Sequence, residues 1–252
     1  MFSLKGKTAI ITGAASGIGF AICERFREAG AHVVGIDRIE APDCQVADVS
    51  NEESLLAVFE LAVQTTGRLD IVVNNAGIQP LGVDFADLTP QLMERTFAVN
   101  VQGTAFGIKH AARLMKNGGR LINTGSFVGM LGVPHGTAYA ASKAAVIHLT
   151  RCAAVELASR AITVNCVCPG TVATPAVLNI PNNPEIAFAA RRTPLGRIAS
   201  PEEIAAAFHF LASDEAGYIT GAILPVDGGI SAGWERYDLA LPPNIIGGQW
   251  TE

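Results

Sequence analysis

Seven short apolar runs recur along the chain, and most are separated by a longer segment of helical period. TAIIT (8–12), HVVGID (32–37), CQVAD (44–48), LDIVVNNAG (69–77), GRLINTGS (119–126), AITVNCVCPG (161–170) and AILPVDGG (222–229) read as strands. The spacing predicts helices from Gly17 to Ala29, closed by Gly30, and over NEESLLAVFELAVQTTG, which opens on acidic residues. Further helices are expected from about Pro90 to Lys116, interrupted near Asn100, from Thr137 to Ser159, and from Pro201 to Ser213. Strand–helix alternation of this kind predicts a parallel sheet wound with right-handed crossovers and covered on both faces. The 252 residues, 49% of them hydrophobic and 26 of them glycine, suit such buried strands and close backbone approaches.

The pattern fills residues 1–232 as one domain. The step from the second strand to the third is about six residues, too short for a helix, so a loop is expected there. Two stretches stand outside the alternation: a Pro- and Asn-rich insert over about 174–198, and a tail over 233–252 that carries Trp234, Tyr237 and Trp250.

Charge and composition exclude several classes of partner. A net charge of -5, a pI near 5.6 and the lack of any basic run argue against nucleic acid. No apolar run approaches the roughly 20 residues that span a bilayer, so no membrane association is expected. The start, MFSLKGKTAIITG, enters a strand almost at once, and a cytoplasmic protein is expected. Cys23, Cys44, Cys152, Cys166 and Cys168 read as buried, reduced thiols, and the five histidines lack metal-ligand spacing.

TGAASGIG (12–19) lies between the first strand and the first helix. Its glycines Gly13, Gly17 and Gly19, with Ser16 and Ile18 among them, would make a tight turn bare enough to admit a pyrophosphate at a helix N-terminus. Asp37 ends the second strand about eighteen residues further on. A carboxylate there can accept both hydroxyls of an adenosine ribose and would repel a 2′-phosphate, so NAD is the expected cofactor. Arg38 follows and could pair with a phosphate, stack over adenine or point into water. The fold expectation sharpens to a single-domain Rossmann-type α/β sheet, doubly wound, of about seven parallel strands.

YAASK (139–143) places Tyr139 and Lys143 one helical turn apart on one face. A nearby ammonium favours the tyrosinate and would lower the phenol's pKa from about 10. The bland alternative for such a pair is a solvated helix face.

Taken together, TGAASGIG, Asp37, Asp48–Val49, NNAG (74–77), Asn100, Ser126, YAASK and PGTVAT (169–174) resemble, in order and spacing, the short-chain dehydrogenase/reductase family over about Lys7 to Gly229. The resemblance implies that Tyr139 is the general acid/base and that Lys143 lowers its pKa and binds the nicotinamide ribose. It implies that Ser126 polarises the substrate oxygen and that Asn100 kinks its helix and holds a water leading to Lys143. It further implies adenine contacts from Asp48 and Val49, with Asn74, Ala76 and Gly77 beneath the adenosine side. Pro169, Gly170, Val172 and Thr174 would clasp the nicotinamide. The substrate would be a small alcohol or ketone, the insert over 174–198 a lid, and the assembly a homotetramer with the tail packed at a subunit boundary.

The substrate itself is weakly marked. Val177, Leu178, Ile180, Ile186 and Phe188 give the insert an apolar character. The motif NCVCPGTVATP resembles relatives acting on hydroxy acids and sugar acids, and small alicyclic alcohols also fit. Arg191 and Arg192 could meet a substrate carboxylate, although RRTPLGR reads as readily as a structural hinge. His135 could line the pocket or sit on a surface loop. The competing class is a non-catalytic NAD(H)-binding regulator, which would be expected to lack Tyr139, Lys143 or Ser126.

Overall fold

The computed structural model describes residues 2–180 and 183–233. Its strands are β1 (Thr8–Thr12), β2 (His32–Asp37), β3 (Cys44–Val46), β4 (Ile71–Asn74), β5 (Arg120–Thr124), β6 (Thr163–Pro169) and β7 (Ile223–Val226). All pair in parallel in one sheet of order β3-β2-β1-β4-β5-β6-β7. The strand order reverses between β1 and β4. Open α/β sheets bind ligands at such a switch, beyond the carboxyl ends of the strands.

The helices are α1 (Gly17–Glu28), α2 (Glu52–Thr66), α3 (Pro90–Phe97), α4 (Gly103–Leu114), α5 (Thr137–Leu157), α6 (Pro175–Leu178), α7 (Pro184–Arg192) and α8 (Pro201–Ala212). Strand periodicity divides the core into two layers. Ala9 and Ile11 of β1 pack with Val73, Ile122 and Val167 against Phe26 of α1 and Phe208 of α8. Ile10 turns the other way and joins Ile36, Val72, Leu121 and Val164 beneath Leu55 and Phe59 of α2, Ala111 of α4 and Leu157 of α5. Both faces of the sheet are thus buried, which explains why its strands read as apolar throughout.

Local chemistry sets the helix ends as expected. Gly30, in the left-handed region at φ 92°, donates to Arg27 O at 2.9 Å and closes α1. Asn51 accepts from Ser54 N at 3.0 Å to open α2, and Ser200 with Glu203 forms a reciprocal capping box on α8. The long helical stretch is indeed interrupted: a single π-helical turn, Ala98–Gln102, separates α3 from α4.

Three expectations need correction. β3 stops at Val46, not residue 48, because Val46 already pairs with Asp37, the last residue of β2. The insert over 174–198, expected as a loop, contains two short helices, α6 and α7, with Pro175 and Pro184 in their first turns. Cys152 is exposed and Cys44 half-buried, so only Cys23, Cys166 and Cys168 are the buried thiols expected. Trp234, Tyr237 and Trp250 of the tail lie outside the described residues. Among those described, no helix is long and apolar enough to cross a membrane, and no three potential metal ligands cluster.

One buried histidine makes the fold acid-sensitive. His110 of α4 is fully buried, its ring 5.6 Å from that of Phe59, and neither ring nitrogen has a hydrogen-bond partner among the described residues. Burial lowers its pKa, against the opposing pull of the Glu52 carboxylate, whose Oε1 is 3.8 Å away. The unfolded chain therefore binds a proton that the folded protein refuses. Stability is intact above the unfolded value near 6.5 and declines below it, by at most about 1.4 kcal/mol per pH unit, until the folded site also titrates. His110→Leu is expected to gain Tm relative to the parent as pH falls from about 7 to 5. Parallel Tm–pH curves for the two proteins would contradict this.

Candidate active site

The turn between β1 and α1 is built for a close ligand. Gly13 and Gly17 adopt φ of 69° and 56°, a region that disfavours side chains. Gly19 has no room for a side chain at all: a β-carbon there would lie 1.9 Å from Gly13 O. Ser16 caps α1 without a side-chain cap bond, and the helix has no acidic residue in its first turn. Its N-terminal N–H groups and dipole therefore face outward without a competing carboxylate. Asp37 ends β2 beside this turn, accepting from Ala15 N at 3.1 Å and Ile39 N at 3.3 Å.

A cleft of about 640 Å3 opens along this edge. Gly13, Ser16, Gly17, Ile18, Asp37, Arg38, Asp48, Val49, Ala76, Gly77 and Thr174 all line it, so the structure brings together most of the residues expected to bind a dinucleotide. Asp48 accepts from both the backbone N (2.8 Å) and Oγ (2.7 Å) of Ser50, and these bonds hold its carboxyl below the usual range. Its charge at neutral pH leaves the second oxygen free to accept.

The four residues expected to carry chemistry do not themselves line the cleft; Asn100 and Lys143 stand against Gly77, which does. Lys143 is buried, 4% exposed, and its Nζ donates to Thr124 O at 2.7 Å. The same Nζ lies 5.7 Å from the centroid of the Tyr139 ring and 3.5 Å from where a β-carbon of Gly77 would be, so it faces both the phenol and the cleft. Ser126, two residues past β5, lies near enough to the Tyr139 phenol for its hydroxyl to pull that pKa down, and its Oγ accepts from Val128 N at 3.4 Å. Asn100 sits in the π turn, where its Oδ1 accepts from Ile78 N (2.8 Å) and its Nδ2 donates to Ile78 O (2.9 Å) and Ser142 Oγ (2.9 Å). Those bonds satisfy an otherwise costly buried amide and tie α3–α4 to α5 beside Tyr139.

The electrostatics correct one expectation. Burial, opposed by the Ser126 hydroxyl, raises the Tyr139 phenol to about 12 instead of letting the ammonium lower it. Burial likewise lowers Lys143 to about 8. Desolvation is the largest cause of both shifts, and at neutral pH it leaves the phenol protonated and Lys143 still largely an ammonium. The two charged forms nevertheless stabilise each other, because a tyrosinate finds its cation one turn away.

Other expected residues are elsewhere. Asn74 does not reach the cleft: it is the last residue of β4, buried, with Nδ2 donating to Asn123 Oδ1 at 2.8 Å. Asn123 Nδ2 in turn donates to Thr150 Oγ1 of α5 at 3.0 Å, so these bonds anchor the helix that carries Tyr139 and Lys143. Asn75 takes the place assigned to Asn74. It lines the cleft and its Nδ2 donates to Thr12 O at 3.0 Å, stitching β1 to β4. Pro169, Gly170 and Val172 also do not line the cleft: Pro169 and Val172 are buried, and Gly170 packs against the Asp227 backbone. Thr174, with Pro175 and Ala176, represents that segment instead. His135 is exposed and pairs with Asp84 at 2.5 Å, and Arg191 and Arg192 are exposed at the end of α7. Arg95, which sequence reasoning passed over, also lines the cleft.

Comparison with known proteins bears on the family and the fold. The family model described as Enoyl-(Acyl carrier protein) reductase matches residues 13–231. A cis-4-hydroxycyclohexanecarboxylate dehydrogenase from Sinomonas cyclohexanicum is 40% identical over 243 residues, covering 90% of this chain and 97% of that protein. 3beta-Hydroxysteroid dehydrogenase 2 from Eggerthella lenta is 39% identical over 250 residues, covering 91% and 96%. An uncharacterized short-chain type dehydrogenase/reductase from Sinorhizobium fredii is 41% identical over 89% of this chain, which spans only 43% of that longer protein. Among solved structures, the aldohexose dehydrogenase of Thermoplasma acidophilum superposes with a TM-score of 0.86 at 34% identity, covering 95% of this chain and 98% of its own.

Proposed function

The chain belongs to the short-chain dehydrogenase/reductase family, and we propose that it is an NAD-dependent enzyme interconverting a secondary alcohol and its ketone, with Tyr139 as general acid/base. The observation that carries the proposal is that Lys143 Nζ lies 5.7 Å from the Tyr139 ring and 3.5 Å from the β-carbon position of Gly77, which lines the cleft together with Gly13, Gly17 and Asp37. The residues present fit a dinucleotide: two glycines in left-handed conformation, a third with no space for a methyl group, an open helix N-terminus and a carboxylate at the next strand end. The glycine turn would hold the pyrophosphate, Asp37 the adenosine ribose, Asp48 and Val49 the adenine, and Gly77, Lys143 and Thr174 the nicotinamide side. When bound, the nicotinamide supplies a hydride acceptor or donor.

The protein supplies position and protons. Ser126 directs its hydroxyl at the oxygen of the reacting carbon and fixes that oxygen against Tyr139 Oη. In oxidation Tyr139 Oη accepts the alcohol proton; in reduction it returns one to the carbonyl oxygen. Lys143 places its ammonium where the tyrosinate forms, and Thr124 O holds that ammonium in place. A homotetrameric, cytoplasmic enzyme is part of the same proposal.

Asp37 supports NAD over NADP, since its carboxylate would repel a 2′-phosphate. Alcohol oxidation followed separately with the two cofactors is expected to favour NAD in kcat/KM by about tenfold or more. Asp37→Ala is expected to narrow that ratio by weakening NAD and relieving NADP. A parent enzyme that prefers NADP would overturn this assignment.

A further inference from the structure

One titratable side chain close to the proposed catalytic group has no task in that scheme. Glu185, in the first turn of α7, is half-buried and accepts a hydrogen bond from Thr171 Oγ1 at 3.4 Å. Thr171 lies two residues past the end of β6, and Ser126 two residues past the end of β5; since Thr124 pairs with Val167, β6 runs two residues further toward this carboxyl edge. These strands are neighbours, joined there by Gly125 N to Val167 O at 2.8 Å. Adjacent strands run about 4.8 Å apart, so Glu185 stands over the same edge of the sheet as Ser126 and Tyr139.

Its position is fixed. Asn183 Oδ1 accepts from Glu185 N at 3.0 Å, and Asn183 Nδ2 donates to Val177 O at 2.9 Å, which joins the start of α7 to α6. Thr174, preceding α6, touches Gly17 and lines the cofactor cleft. The insert therefore reaches from the glycine turn to the catalytic edge and places one carboxylate at its inner end. Burial pushes the Glu185 carboxyl above its usual range, and what offsets this is the Thr171 hydroxyl. Its charge is also felt at the Tyr139 phenol, which it helps hold up.

We propose that Glu185 is a specificity-determining residue, admitting substrates whose groups near the carbinol are neutral or cationic hydrogen-bond donors and rejecting those with a carboxylate there. A second carboxylate beside Glu185 at a poorly solvated site is repelled, whereas a hydroxyl or amine finds an acceptor. This inference rests on the alcohol–ketone reading above. It also runs against pairing of a substrate carboxylate with Arg191 or Arg192. Those residues lie at the opposite end of α7, six and seven positions on, which is about 10 Å along the axis.

The test uses three cyclohexanols that differ in charge at one ring position: 3-aminocyclohexanol, cyclohexane-1,3-diol and 3-hydroxycyclohexanecarboxylate. Each is oxidised with NAD by the parent, Glu185→Gln and Glu185→Asp proteins. The parent is expected to favour the amine and diol over the carboxylate in kcat/KM by about tenfold or more. Glu185→Gln keeps the shape and removes the charge, so it should bring the carboxylate to within about threefold of the diol, while Glu185→Asp retains the discrimination. A parent that takes the carboxylate as readily as the diol, or a ratio unchanged in Glu185→Gln, overturns this inference alone. No oxidation of any alcohol by the parent would bring down the alcohol–ketone reading and this inference with it.

Discussion

Tyr139→Phe is expected to lower turnover by about three orders of magnitude while NAD binds almost as before. The substitution removes one oxygen. Phenylalanine keeps the ring that the Lys143 ammonium faces at 5.7 Å, so the packing of α5 survives. What disappears is the phenol oxygen near Ser126, which is proposed to trade a proton with the substrate. The parent should show a matching pH signature. Alcohol oxidation draws on the deprotonated phenol, whose pKa stands near 12, so its rate should climb with pH through the neutral and alkaline range. Ketone reduction draws on the protonated form and should not climb. Tyr139→Phe should lose the slope along with the rate. Near-normal turnover in that variant, measured with NAD at saturation, would remove Tyr139 from the mechanism.

Gly19→Ala is expected to be nearly as severe, by a different route. Helix propensity alone predicts a gain, because alanine in a helix is favoured over glycine by about 1 kcal/mol. Packing predicts the opposite sign. The added carbon would sit 1.9 Å from Gly13 O and 2.7 Å from Asn75 Nδ2, and the first of these is backbone that cannot swing away. Asn75 is itself bonded to Thr12 O at 3.0 Å and to Gly13 O at 3.4 Å, so a displaced turn drags the ends of β1 and β4 with it. Overpacking of this kind costs about 1–3 kcal/mol, which exceeds the propensity gain, and it distorts the surface that would receive the pyrophosphate. NAD affinity should fall by on the order of a hundredfold, with a lower Tm. Gly132→Ala, where a β-carbon would meet nothing within 4 Å, is the control and should change neither. Unchanged NAD affinity in Gly19→Ala would show that the turn does not hold the cofactor.

Much of this architecture was legible from residue pattern because a two-faced parallel sheet demands apolar strands, and the glycine turn and Asp37 sit at fixed places in such a sheet. The break near Asn100 was also legible, since an asparagine inside a helix needs a partner that a regular helix does not provide. Other features depended on tertiary facts. Asn74 and Asn75 look equivalent in NNAG, but β4 ends at Asn74, so one amide turns into the core and its neighbour meets the cleft. The direction of the Tyr139 shift turns on burial, which spacing between tyrosine and lysine does not encode. Glu185 carries no motif; only the seating of α7 against Thr171 brings its carboxylate to the carboxyl edge of β6.

The central claim is that hydride moves between a carbinol carbon and the nicotinamide within this site. Its most direct test is isotopic: a secondary alcohol deuterated at the carbinol carbon is incubated with the protein and NAD, and the reduced nicotinamide is weighed by mass spectrometry. The account predicts deuterium in the reduced cofactor from the parent protein and almost none from Tyr139→Phe. A protein that binds NAD yet transfers no deuterium from any of a broad panel of secondary alcohols would contradict it and favour a nucleotide-sensing role on the same fold.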